Sequence, residues 1–154
     1  MIRKATIVDQ DQINQLRQKT IKKINIDDYN LLEQEAILQY FQNNNFCKTL
    51  EAEIGYVISF ENKILGYGSY HAQQNQITDL YVDPEYQGWY FGKKLLKQLE
   101  LEAQKNGFLD ITVDAFLPAV AFFSKVSLHC SEEKCSYLFS TRNFNLFYEK
   151  IFLI

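Results

Sequence analysis

The residues best suited to chemistry lie in Val82-Asp-Pro-Glu-Tyr-Gln-Gly-Trp-Tyr-Phe-Gly-Lys-Lys-Leu-Leu96. An apolar run enters this stretch, glycines stand at 88 and 92, and an amphipathic run leaves it. A strand, a turn and a helix in that order aim successive backbone N–H groups into one concavity. The helix N-terminus adds partial positive charge. Glycine lets the backbone approach an anion closely. A pyrophosphate is the natural ligand, with Lys93 and Lys94 as nearby cations. The same spacing also serves a plain strand-to-helix connection. A Walker-type phosphate loop is excluded, because no G-x-x-x-x-G-K-[ST] occurs. The G-x-G-x-x-G of dinucleotide folds is absent as well.

Several elements must hold this loop. Ile2 to Ile7 reads as a strand, and Asp9 as the cap of a helix, with Gln12 as its reciprocal partner. Ile13, Leu16, Thr20, Ile21 and Ile24 follow at helical spacing. Leu31, Leu32, Ala36, Tyr40 and Phe41 define a second helical face. The period then becomes two over Ile54–Ile58, Ile64–Tyr70 and Gln76–Val82, which predicts three antiparallel strands with turns at Glu61–Lys63 and Gln73–Asn75. Asp83-Pro84 ends the third strand, since proline cannot extend the ladder. Phe91, Leu95, Leu96, Leu99 and Ala103 predict a helix that stops at Asn106-Gly107. Leu109 to Ala115 reads as a strand parallel to the one before that helix. Pro118 suits a first helical turn, with Ala119, Phe122, Phe123 and Val126 as the buried face. Tyr137–Ser140 and Phe144–Phe152 close the order β-α-α-β-β-β-α-β-α-β-β, an α/β fold.

With 154 residues, one domain spanning 1–154 is expected. A hydrophobic share of 47% with 23% charged residues supports a packed core and argues against extended disorder. The net charge of −3 disfavours a nucleic-acid partner. No signal peptide and no run of about 20 apolar residues is found, so a membrane span is not expected. Three cysteines do not make a disulfide scaffold, and a cytoplasmic setting is expected.

On these residues the chain resembles the GNAT N-acetyltransferase superfamily. The likeness rests on "V-D-P-E-Y-Q-G", "G-K-K-L-L-K-Q-L" and "A-V-A-F-F-S-K". It covers the whole element order, and residues 76 to 128 in motif. The family signature [Q/R]-x-x-G-x-[G/A] wraps the pyrophosphate of acetyl-CoA. Gln87 matches its first position and Gly92 its last, while Tyr90 stands at the middle glycine. Gly88 matches a frequent extra glycine. The resemblance implies a mixed, mostly antiparallel sheet flanked by helices, with acetyl-CoA as co-substrate. Leu80, Tyr81 and Val82 would bind the pantetheine arm through their backbone, on a strand that usually carries a bulge. Leu80 would polarise the thioester carbonyl. Gln87, Gly88, Trp89, Tyr90, Phe91, Gly92 and Lys93 would surround the cofactor. The family tyrosine that acts as acid is replaced by Phe123, and Ser127-Leu128 replaces Gly-Phe. Phe123 has no hydroxyl, so the acid must be another group or solvent.

Asp79 points to the face opposite Leu80 and could act as base or hold an amine. His71, at the end of the preceding strand, titrates in the right range for a base. Trp89 would stack on adenine or cover the loop. His129, Cys130, Glu132, Glu133 and Cys135 lack a second ligand pair at a familiar spacing, so no metal site is assigned. The apolar C-terminal strand needs covering, and a second subunit would do it. The acceptor is a small-molecule or protein amine. Two readings stand side by side: an N-acetyltransferase using direct amine attack, or a degenerate GNAT domain that binds CoA or a protein partner without significant turnover.

Overall fold

Apolar alternation between Ile54 and Val82 folds into a three-stranded antiparallel meander, the frame on which the site is built. The computed structural model describes residues 1–24, 31, 35, 51–116, 119, 122, 123, 125 and 148–153. In chain order the elements are β1 (Ile2–Lys4), a short 3-10 turn (Ile7–Asp9), α1 (Gln10–Ile24), β2 (Ile54–Phe60), β3 (Lys63–His71), β4 (Gln76–Val82), a 3-10 turn (Pro84–Tyr86), α2 (Phe91–Lys105), β5 (Ile111–Phe116) and β6 (Tyr148–Leu153). The strands lie in that order in one sheet. Every neighbour pair is antiparallel except β4–β5, which the intervening helix makes parallel.

Turn chemistry sets the register. Glu61 and Asn62, both at positive φ, make the two-residue hairpin between β2 and β3. Asp83 is buried and receives Lys19 Nζ at 2.8 Å and the Glu85 N–H at 3.0 Å, which fixes where β4 ends. Pro84 starts the following 3-10 turn, as expected.

A helix covers each face. Ile13 and Leu16 of α1 pack on Val57, Ile64, Tyr67 and Tyr81. Leu95, Leu96, Leu99 and Ala103 of α2 pack on Tyr56, Ile58, Tyr70 and Ile77. Leu95 and Leu99 are fully buried, each worth about 1.5–3 kcal/mol of burial. Gly66 and Gly68 make this approach close. A Cβ at Gly66 would stand 3.0 Å from Leu95 Cδ1, and one at Gly68 3.1 Å from Leu99 Cδ1.

Some details differ from the sequence reading. Asp9 does not cap α1. It is the third residue of the 3-10 turn, where its Oδ2 accepts the Thr6 N–H at 2.8 Å, and Arg3 holds it at 2.7 Å. Gln12 is not its partner, because its Oε1 accepts the Ile64 N–H at 3.0 Å. The first strand is shorter than expected, since Thr6 already turns the chain. The strand expected from Leu109 begins at Ile111, and Leu109 is 92% exposed. Leu31 is helical as expected but 76% exposed rather than packed. Ala119, Phe122 and Phe123 are helical, with Phe123 buried. Leu32, Ala36, Tyr40, Phe41, Val126, Tyr137–Ser140, the His129–Cys135 group and Ser127-Leu128 lie outside the described residues.

Candidate active site

The site begins where two strands part. β4 and β5 are paired only at Gln76–Thr112 and Ile77–Val113. Opposite β3, Ser69 faces Asp79 while Tyr70 faces Ile77, so Thr78 is an extra residue in β4. This bulge lies in the strand that the family resemblance places one in. It sharpens the local twist just where β5 leaves.

Beyond the bulge, among the described residues, β4 has one edge paired with a strand and one edge without a strand partner. The Asp79 and Tyr81 carbonyls lie against Gly68 and Gly66 of β3. Asp83 N–H also donates toward β3, to the Leu65 carbonyl at 2.8 Å. Alternation then turns the backbone groups of Leu80 and Val82 the other way, into the gap left by β5. The Val82 carbonyl confirms it, accepting the Thr20 hydroxyl of α1 at 3.5 Å.

A cavity of about 480 Å³ fills this gap. Thr20, Ile21, Leu80, Tyr81 and Val82 form one wall. Tyr86, Gln87, Gly88, Tyr90, Phe91, Gly92 and Lys93 form the next, and Ala119, Phe122 and Phe123 close it. Residues from both faces of the sheet line one space, because the unpaired edge of β4 lets it pass through the sheet plane. Most of the lining is apolar, which suits an extended arm whose amides pair with a free strand edge.

The loop into α2 has two left-handed residues. Gly88 has φ +84°, and a Cβ there would meet nothing within 4 Å. Tyr90, the residue before α2, has φ 62° and ψ 11°. A tyrosine there carries backbone strain that glycine would not. Its ring points outward, with Lys93 Nζ 5.5 Å from the ring centroid. Gly92 serves packing as well: a Cβ would stand 3.1 Å from the Phe122 ring.

Thus ten of the expected residues come together: Leu80, Tyr81, Val82, Gln87, Gly88, Tyr90, Phe91, Gly92, Lys93 and Phe123. Trp89 lies outside the lining. It is 64% exposed and packs edge-on against Tyr86, at 6.2 Å between centroids. Lys94 also lies outside, over Phe91. Asp79 and His71 sit on the α1 face near the bulge and do not line the cavity. Asp79 is buried and ion-paired with the buried Arg17 of α1. Asp79 reaches Arg17 across 62 residues of chain, a partner no local pattern signals. Tyr67 and Tyr70 are core residues: burial pushes the Tyr67 hydroxyl far up, and the Tyr70 hydroxyl donates to Asn75 Oδ1 at 3.1 Å. Among the described residues, no group of three metal-binding side chains occurs, and no helix is long and apolar enough to cross a membrane.

Residues 18–136 match the Acetyltransferase (GNAT) domain family. The chain belongs to the GNAT acetyltransferases, and membership makes it an acetyltransferase with acetyl-CoA as co-substrate. Similar solved structures agree on the fold. A GCN5-related N-acetyltransferase from Rhodopseudomonas palustris has 25% identity and a TM-score of 0.77, over 97% of this chain and 90% of that one. PaiA N-acetyltransferase from Thermoplasma acidophilum, solved with coenzyme A, has 17% identity and a TM-score of 0.73, over 97% and 96%. A GNAT family acetyltransferase from Brucella melitensis, solved with acetyl-CoA, has 17% identity and a TM-score of 0.57, over 80% of each chain. A comparison with curated proteins found no match.

Proposed function

We propose that this protein moves an acetyl group from acetyl-CoA to a primary amine by direct attack on the thioester. The observation that carries the reading is the unpaired backbone edge of Leu80 and Val82, facing an apolar cavity that crosses the sheet. A pantetheine arm has amides of the right kind to complete that edge. The pyrophosphate would rest on the turn from Gln87 to Gly92, where Gly88 leaves open space and Lys93 supplies charge. The coenzyme A complexes of the Thermoplasma and Brucella proteins support the same donor here.

In this reading the Leu80 N–H stabilises the oxyanion as the amine adds to the carbonyl. The C–N bond forms, the C–S bond breaks, and CoA leaves as thiolate. Phe123 lies in the cavity wall and cannot give that thiolate a proton, so water does. Asp79, neutralised by Arg17 in a buried ion pair, is not a free base.

Calorimetry with acetyl-CoA and with CoA, followed by thiol release with a panel of primary amines, tests the proposal. Binding with amine-dependent release is the expected result. Two observations favour the second reading, cofactor binding without turnover: the left-handed Tyr90 and the missing hydroxyl at Phe123. Binding without release from any amine would establish it, and absence of binding would refute acetyl transfer and leave a degenerate domain that binds a protein partner.

A further inference from the structure

We propose that Glu53 is the proton acceptor for the attacking amine, held by Thr78 at the point where β4 parts from β5. The inference rests on the acetyl-transfer reading above and adds a residue to it. The bulge is the starting point. It turns Thr78 and Asp79 to the same face of the sheet, the α1 face. The α2 face is closed by the tight approach of Leu95 and Leu99 to Gly66 and Gly68. An acceptor therefore reaches the thioester from the α1 side, past the bulge.

On that side a chain of polar groups is already assembled. The Thr78 hydroxyl donates to Glu53 Oε2 at 2.6 Å, and the Ser69 hydroxyl lies 2.7 Å from that of Thr78. Three elements meet here: Glu53 just before β2, Ser69 and His71 near the end of β3, and Thr78 and Asp79 in β4. Asp79 is taken by Arg17 and approached by Ser69 at 3.4 Å, so its carboxylate is shielded. Glu53 is only half-buried and, like Asp79 and His71, stands outside the cavity lining on the α1 side, so it works through water rather than by direct contact. Thr78 is two residues from Leu80, roughly 7 Å along the strand, a span that two hydrogen-bonded waters bridge from the reacting nitrogen to the Thr78–Glu53 pair.

The electrostatics suit the task. Burial pushes the Glu53 carboxyl up, hydrogen bonds from Thr78 and Ser69 pull it back, and the Asp79 charge adds to the rise that remains. His71 on β3 acts in the lowering direction. Tyr67 of β3 is a further titratable neighbour, its hydroxyl raised in part by the Glu53 charge, and Arg17 stands behind Asp79. The step balances simply. The amine nitrogen bonds to the carbonyl carbon, its proton passes to the Glu53 carboxylate, and the thiolate departs.

The sign of the coupling separates function from structure. A carboxyl raised on folding adds stability at low pH and loses it as pH rises through the folded value. Glu53→Gln should therefore be at least as stable as the native protein at pH 7. Three measurements on the full chain decide the matter. A carbon-13 carboxyl titration, assigned by its loss in Glu53→Gln, should show Glu53 above the ordinary glutamate range; an ordinary value overturns the proposal. Calorimetry should give Glu53→Gln unchanged affinity for acetyl-CoA, and lost affinity or stability would make the residue structural. Turnover should fall about 100-fold at neutral pH, the acidic limb of kcat/KM should vanish, and Glu53→Asp should restore part of the rate. The amines are putrescine, 2-phenylethylamine and an alanine-terminated peptide. Failure of the native protein on all three counts against the acetyl-transfer reading, while the carboxyl titration still decides Glu53. Native-like turnover and pH profile in Glu53→Gln would refute it.

Discussion

Tyr90 offers a test with a built-in control. Its φ of 62° and ψ of 11° place an L-residue with a Cβ in left-handed backbone, at a cost of about 1–2 kcal/mol. Tyr90→Ala and Tyr90→Gly both remove the exposed ring and its contact with Lys93. They differ only in the Cβ. At an ordinary helical or extended position alanine is the more stable of the two, by about 0.4–1 kcal/mol through the unfolded chain. Here the strain is larger than that entropy, so the order reverses. Subtracting one from the other leaves the glycine variant ahead by about 0.8 kcal/mol. For a chain of this size that is roughly 2–3 °C in Tm. Urea titrations of the two variants, compared at a common m-value, read the difference directly. If alanine keeps its ordinary lead of about 0.4–1 kcal/mol over glycine, the left-handed conformation carries no cost and the reasoning about this turn is wrong.

Other perturbations address the frame. Gly68→Ala puts a Cβ 3.1 Å from Leu99 Cδ1 and 3.2 Å from Leu80 Cδ1; we expect a loss of about 1–3 kcal/mol together with weaker acetyl-CoA binding, by denaturation and calorimetry. Arg17→Met strands a buried Asp79 and should cost about 3 kcal/mol or more, whereas Arg17→Met with Asp79→Ala should cost less than the single change in the same urea assay. Hydrogen bonding to Arg3 lowers the Asp9 carboxyl from 3.8 to about 2. Its stabilisation is complete above the unfolded value and is lost as pH falls through the folded one. Arg3 is over a third exposed, so screening reduces the effect to about 1 kcal/mol. Arg3→Ala should show that deficit at pH 7, shrinking as the pH drops from about 5 to 2.

The site was legible in the sequence wherever local chemistry determines the backbone. Asp83-Pro84 stops β4, Gly88 takes positive φ, and the helix after it makes β4 and β5 parallel, all readable from neighbours in the chain. What stayed hidden depends on partners far away. Asp79 reads as an available carboxylate until Arg17 of α1 is seen against it. Thr78 reads as an ordinary strand residue, because a bulge is defined only by the register of the facing strand. Glu53 carries no motif at all, and its place follows from the bulge beneath it. Asp9 was misplaced by one motif position, since Thr6 and Arg3 compete for it more strongly than the start of α1 does.

The short pairing of β4 with β5 makes Asn75 a rivet. With only two paired positions between them, the four-stranded and two-stranded parts of the sheet are a notched plate. Asn75, itself at positive φ, spans the notch. Its carbonyl accepts the Thr112 N–H and hydroxyl, each at 3.0 Å, its Nδ2 donates to the Asp110 carbonyl at 2.9 Å, and Tyr70 holds its Oδ1. The mechanical load of keeping the plate in one piece therefore falls on one end, and the open end is free to widen. A bound arm lying along Leu80 and Val82 would act as a missing plank, joining the two parts at the end the rivet cannot reach. Amide exchange in β5 and β6 should then slow on cofactor binding far more than in β1 and β2.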